Sequence, residues 1–249
     1  MTSPPPTAPS PPPAAPRPRL SIVIPAMNEE EGIGETLDII PLKALAEMGY
    51  PTEVIVVDGE SVDRTRDIAR EKGARVVIEP RKGYGRAYKT GFEHAQGDLI
   101  ATGDADTTYP FDKLPEYLRL FEREQLDFLT GNRLADLKPG AMRPMHKVGN
   151  WMLSTTGRVL FLARIKDSQS GMWIFKRSIL PRLKITSDGM PMSEEIKIEA
   201  FTKGDLRCRE VPIEYRVRVG DVKLSSWKDG WRNMKFLFQK RFGIAEPES

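Results

Sequence analysis

Residues 20–26 read LSIVIPA, a short, β-branched, apolar run of the kind that forms a strand buried on both faces. Asn28-Glu29-Glu30-Glu31 follows it, acidic residues suited to a helix N-terminus, and a helical stretch runs on to about Met48. The same order then repeats. TEVIVVD (52–58) runs into Gly59-Glu60-Ser61 and a helix carrying Asp63, Thr65 and Ile68. ARVVIEP (74–80) precedes the glycine-rich KGYGRAYKTG (82–91) and another helix, and DLIATGDAD (98–106) ends in two aspartates. Four strand–helix units at roughly 25-residue spacing predict an α/β fold: a doubly wound, mostly parallel sheet with flanking helices and right-handed crossovers. Ligands of such sheets sit beyond the carboxyl ends of the strands. Asn28, Asp58, Asp104 and Asp106 all follow strand ends, which makes that edge the candidate site.

Composition narrows the chemistry. A chain of 249 residues with 39% hydrophobic and 29% charged residues has room for one good-sized domain and a short extension. A net charge of +3 argues against nucleic acid as a partner. Cys208 is the single cysteine, so neither an internal disulfide nor a cysteine metal site can form. Only His94 and His146 are present, too few for the usual catalytic zinc. Any metal should be a hard cation on carboxylates, Mg²⁺ or Mn²⁺. No apolar run reaches the ~18 residues of a spanning helix, and the N-terminus has no charged start followed by an apolar stretch. The expectation is a cytoplasmic protein, peripheral on the inner face of the membrane. Residues 1–18 are rich in proline and carry a single charge, and are expected to form a disordered tail.

Within GDADTTYP (103–110), Asp104 and Asp106 stand two apart with small Ala105 between them. At a strand end, this spacing can turn both carboxylates toward one divalent cation shared with substrate phosphate. An aspartate-rich turn that caps the next helix is the ordinary alternative. In the glycine-rich stretch, Lys82, Gly83, Gly85 and Arg86 can present donors to phosphate, whereas Gly91 equally suits close helix–sheet packing. The C-terminal SWKDGWRNMKFLFQKRFG (226–243) mixes aromatic residues and cations, opposed only by Asp229. A helix of this kind can dock one face on the domain and turn the other to lipid headgroups.

Together VIPAMNEEEGI, VVDGESVDRT, RKGYGRAYKTGF, GDADTTYP and DSQSGMWIF resemble the family 2 glycosyltransferases, and within them the dolichyl-phosphate mannose and glucose synthase group. The resemblance spans about residues 20–225. It implies a GT-A fold, an inverting mechanism and a nucleotide diphosphate-sugar donor of the GDP-mannose or UDP-glucose type. It places Pro25, Ala26, Asn28 and Glu29 along the nucleotide, Asp58 near the base, and Asp104 and Asp106 on the metal. Ser61, Lys82, Gly83, Gly85, Arg86 and Ala105 complete the expected donor site. Three departures stand out. Met27 replaces a frequent Tyr, and Asp58-Gly59 replaces a paired Asp-Asp, which leaves uracil and guanine both open. Thr108 stands where the mannose synthases place a metal-binding Gln, so water or its hydroxyl would take that position.

The resemblance divides the chain into residues 19–130, a donor and metal half, residues 131–225, an acceptor half, and 226–249, a basic aromatic C-terminal helix. In the acceptor half Arg133 is expected to face phosphate. Glu194 and Glu195 open the helix 193–200, where acids ordinarily serve the helix dipole; the family places an acid near here in the site, which points to Glu195. RVRVGDVKLSS (216–226) is similar to a segment of polyprenyl-phosphate transferases, which assigns Arg218 and Lys223 to the phosphate of a polyprenyl or dolichyl acceptor. Such an acceptor arrives ionised. A hydroxyl acceptor would instead need Glu195 or Asp167 as a base. A module that binds nucleotide-sugar or lipid phosphate without turnover is the remaining alternative.

Overall fold

A computed structural model describes residues 17–138, 140–220 and 226–243, with backbone only for 226–228. The expectations for residues 1–16 and for Lys223 lie outside the described residues. The strands are β1 (Leu20–Ala26), β2 (Thr52–Asp58), β3 (Arg75–Ile78), β4 (Leu99–Thr102), β5 (Phe128–Leu137), β6 (Trp173–Lys176) and β7 (Cys208–Tyr215). The helices are α1 (Ile33–Asp38), α2 (Leu42–Glu47), α3 (Thr65–Glu71), α4 (Tyr84–His94), α5 (Leu114–Arg123), α6 (Pro144–Phe161), α7 (Met192–Thr202) and α8 (Ser226–Phe242).

The strands make one sheet in the order β3-β2-β1-β4-β6-β5-β7. Pairing is parallel except around β6, which runs antiparallel to both β4 and β5. Period-two alternation builds the two layers. On β1, Leu20, Ile22 and Ile24 face a core shared with Leu37, Leu45, Leu118 and Phe121. Val23 points the other way, into a core with Tyr88, Phe92, Trp173 and Ile196. A smaller cluster joins Leu153 of α6, Ile198 of α7 and Leu237 of α8.

Several boundaries differ from the sequence reading; strand β3, expected over 74–80, spans Arg75–Ile78. The helix expected as far as Met48 is broken into α1 and α2, because Pro41 has no amide hydrogen and disfavours helical backbone in the residue before it. Strand β4 stops at Thr102 and does not reach Asp106. Beyond it the chain turns locally: Asp106 Oδ1 accepts from Thr108 N at 3.2 Å and from Thr108 Oγ1 at 2.6 Å, and Thr107 adopts a φ of +66°. This turn lifts both aspartates out of the sheet and over its carboxyl edge.

Candidate active site

Register sets the first wall of the site. Ala26 and Asp58 are paired at the ends of β1 and β2, so the loops that follow them emerge side by side. They are laced together. Asn28 N donates to Ser61 Oγ at 2.8 Å, Val62 N to Asn28 Oδ1 at 2.8 Å, and Glu29 N to Thr65 Oγ1 at 2.8 Å. Asn28 sits at φ +53°, a left-handed conformation that Asn tolerates better than most residues. Asp58 is fully buried; its Oδ1 accepts from Ser61 N at 3.0 Å, while Arg66 Nε lies 3.6 Å away. The two departures in this wall are neighbours, since a Cβ at Gly59 would stand 3.5 Å from that of Met27.

The second wall carries the acidic pair. Asp104 Oδ1 accepts from Tyr84 Oη at 3.0 Å and from Tyr88 Oη at 3.4 Å, two donors one turn apart on α4. Burial, then the charge of Asp104, holds both phenols protonated far above their ordinary range. Scarcity of water around Asp104, and after it the charge of Asp106, pushes the Asp104 carboxyl up to about 7. Gly171 closes against this group: a Cβ there would collide with Tyr84 Oη and stand 3.5 Å from Asp104 Oδ1. Asp106 Oδ2 accepts from Arg218, whose other terminal nitrogen donates to Glu29 at 2.7 Å. Arg216 N to Thr108 O (3.0 Å) and Val219 N to Asp106 O (3.1 Å) lay residues 216–219 along the aspartate turn.

A hard divalent cation fits this pair. Both residues offer only oxygen, their mutual repulsion is of the kind that positive charge relieves, and the Arg218 guanidinium already occupies a cation's place beside Asp106. Among the described residues no group of three or more His, Cys, Asp or Glu could hold a metal. Mg²⁺ or Mn²⁺ is compatible with so few protein ligands, because each also binds substrate phosphate and water. The hydroxyl of Thr108 is committed to Asp106, so water is the better candidate for the position raised by the sequence.

The structure brings Asn28, Glu29, Asp58, Ser61, Asp104, Asp106 and Arg218 to one edge, with Pro25, Ala26 and Ala105 in the backbone between them. The other expected residues meet different partners. Arg133 forms a fork on Asp167, with Nε to Oδ2 at 2.8 Å and Nη2 to Oδ1 at 2.9 Å, and covers the Tyr215 ring. Burial opposes ionisation of Asp167, but Arg133 outweighs it and holds the carboxyl below its ordinary range. Glu195 is fully buried; it accepts from Thr186 N and Ser187 N at 2.9 Å each and pairs with Lys240 at 3.0 Å. In the glycine-rich stretch, a Cβ at Gly85 would come within 2.6 Å of Met192 Cβ, and one at Gly83 would strike Asp188 O. Close packing on residues 187–192 is therefore a sufficient reason for both glycines. Arg86 Nε donates to Glu79 at 3.3 Å and Lys82 is exposed. Gly91 lies against Val23 and Val57, so of the two readings its position left open the close packing is the one observed.

Tyr84, Tyr88 and Lys197 were not singled out in the sequence. Tyr84 and Tyr88 carried a weak signal, an i,i+4 aromatic pair opening the helix after the glycine turn. Lys197 carried none. It is fully buried, donates to Asp167 O at 2.9 Å and Ser170 O at 2.8 Å, and burial, against the pull of Asp167, pushes its ammonium down to about 7. Glu194 accepts from Gln169 Nε2 at 2.9 Å, and burial raises its carboxyl well above the ordinary range. These side chains hold the 167–171 loop in place behind the acidic pair.

Sheet order, strand-end loops and the acidic turn define the class: this is the GT-A fold. Residues 21–183 match the sequence profile described as Glycosyl transferase family 2, and the chain belongs to that family. It is similar to the low-salt glycan biosynthesis hexosyltransferase Agl6 of Haloferax volcanii, 43% identical over 88% of this chain and 52% of that protein, so it spans about half of that relative's length. A dolichyl-phosphate hexose transferase of the same organism is 33% identical over 85% of this chain and 89% of that protein. Among solved structures, the fold is shared with glucosyl-3-phosphoglycerate synthase from Mycobacterium tuberculosis in complex with Mn²⁺, UDP-glucose and glycerol 3-phosphate. That match has a TM-score of 0.71 and 22% identity, and covers 92% of this chain and 82% of that one. No described helix is long and apolar enough to cross a membrane.

Proposed function

We propose that the chain transfers a hexosyl group, with inversion, from a GDP-mannose or UDP-glucose type donor to the phosphate of a polyprenyl or dolichyl phosphate at a membrane surface. Similarity to the Haloferax volcanii dolichyl-phosphate hexose transferase supports this reading. One structural observation carries it. Asp167 and Glu195, the two acids that a hydroxyl acceptor would need as base, are both fully buried and saturated with donors. A phosphomonoester needs no such base, because its second pKa is about 6.

In the proposed reaction an acceptor phosphate oxygen forms a bond to the anomeric carbon as the bond to the nucleotide's diphosphate oxygen breaks, and the electron pair leaves with the diphosphate. Asp104 and Asp106 would hold Mg²⁺ or Mn²⁺, which when bound supplies positive charge to the leaving diphosphate. Tyr84 and Tyr88 orient Asp104. The laced loops carrying Asn28, Glu29, Asp58 and Ser61 form the wall for the nucleoside. Arg218 is placed to exchange its carboxylates for phosphate oxygens once substrates enter, a fork-to-oxyanion contact that arginine makes well. Residues 19–130 serve the donor and 131–225 the acceptor.

The test is incubation of the pure protein with Mg²⁺ or Mn²⁺, a detergent-dispersed short polyprenyl phosphate and a panel of UDP- and GDP-sugars, followed by lipid extraction. A single donor should yield a glycolipid that disappears in a folded Asp106→Ala variant. Nucleotide release dependent on the donor, with no glycolipid from any of them, would transfer the assignment to a hydroxyl acceptor.

A further inference from the structure

Helix α6 packs on its neighbours through Leu153, Ser154 and Gly157, and Gly157 lies next to Leu237 of α8. Its other side is apolar and open. Met145, Val148, Trp151, Met152 and Val159 are exposed, Trp151 at 61% and Val159 at 70%, and Leu162 continues the row just past the last turn. At 3.6 residues per turn these six positions share about one third of the helix circumference. A helix on a water-facing surface places polar residues on that side. Helix α8 adds Trp231, 76% exposed, with Phe238 and Phe242, two and three turns further on the same side.

Charge selects the occupant. Helix α6 contains no acidic residue, and its exposed cations are Lys147 and Arg158, with Arg143 at its start. On α8 the exposed cations are Arg232, Lys235 and Arg241, against the single acid Asp229. Isologous pairing with a second copy would set these cations against one another. Apolar and aromatic side chains among cations match the boundary between anionic headgroups and acyl chains.

The same two helices reach the site. Ser154 Oγ of α6 accepts from Ser168 N at 2.9 Å, and Asn233 Nδ2 of α8 donates to Gln169 Oε1 at 2.7 Å. Both contacts fall in the 167–171 loop, whose Gly171 closes on Asp104. We propose that the exposed face of α6, continued by α8, is the surface on which the protein docks to an anionic membrane. The proposal deepens the lipid-acceptor reading and rests on it for its purpose. The sequence pointed to α8 alone; α6 supplies the larger apolar row.

The experiment is co-sedimentation of the full chain with vesicles of phosphatidylcholine alone or mixed with phosphatidylglycerol, both free of polyprenyl phosphate. The chain should bind the anionic vesicles, less so at raised salt. The folded double variant Trp151→Glu/Val159→Glu should bind them roughly tenfold more weakly, with its transfer to detergent-dispersed acceptor unchanged. Absence of vesicle binding, or a double variant that binds like the parent, overturns the proposal. So does a dimer seen by light scattering that the same substitutions dissociate while vesicles remain unbound. Vesicle binding without any glycolipid would retire the acceptor reading and keep this surface; glycolipid formed without vesicle binding would do the reverse.

Discussion

Arg218 bridges Asp106 and Glu29, joining the segment after the last strand to loops that follow the fourth strand and the first. A divalent cation held by Asp106, as proposed, would compete with this guanidinium for the carboxylate. Arg218→Ala should tighten Mn²⁺ binding to the substrate-free protein, measured by calorimetric titration. On the proposed function the same variant should lose roughly a hundredfold in kcat/KM, because a cation meant for developing phosphate charge would be removed. Tighter metal binding with undiminished transfer would show that Arg218 only fills space.

Gly171 leaves room for Tyr84 to reach Asp104. In Gly171→Ala the new methyl would displace the Tyr84 hydroxyl, so metal affinity and turnover should fall together while the melting temperature moves by only a few degrees, about what ~1 kcal/mol produces. Tyr84→Phe should reproduce the loss of activity without the steric cost. Agreement between the two variants would trace the effect to the hydrogen bond on Asp104.

The fork between Arg133 and Asp167 is buried, and breaking one side leaves the other charge without its ion-pair partner. Asp167→Ala or Arg133→Ala should each cost about 3–5 kcal/mol in urea unfolding. Replacing both with apolar residues of similar size should recover most of that loss. If Arg133→Ala is instead nearly neutral for folding but abolishes acceptor binding, the phosphate-facing role inferred from the resemblance regains ground.

Acid stability should depend on Glu79. Hydrogen bonds from Arg81 lower its carboxyl, over the opposing effect of burial, and Thr90 adds a further bond. The folded pKa lies below the ordinary 4.5, so Glu79 binds a proton more readily in the unfolded chain. Its contribution is complete above that value and is lost as pH falls through the folded pKa. Glu79→Gln should therefore flatten the acid limb of a stability–pH curve below about 4.5 and leave its neutral-to-alkaline course unchanged in shape.

Local pattern was enough to read four strand–helix units, the acidic turn 104–106 and the strand-end edge, because alternation, β-branching and glycine placement act over a few residues. It also set β1 and β2 to the residue. Partner choice was different. Whether Arg133 meets phosphate or Asp167 depends on a segment 34 residues away, and whether Glu195 faces substrate or the 186–187 turn depends on how a loop eight to nine residues upstream folds back and on Lys240, 45 residues on. Nothing in either residue's neighbourhood encodes that choice. The burial of Lys197 and the open face of α6 are likewise tertiary facts: an alternating charged helix and an apolar one each look ordinary until packing decides which side is covered. Residue type and spacing determined what chemistry this chain could hold, while the packing of the loops and helices of its second half around the shared sheet decided which of those groups remain available to do it.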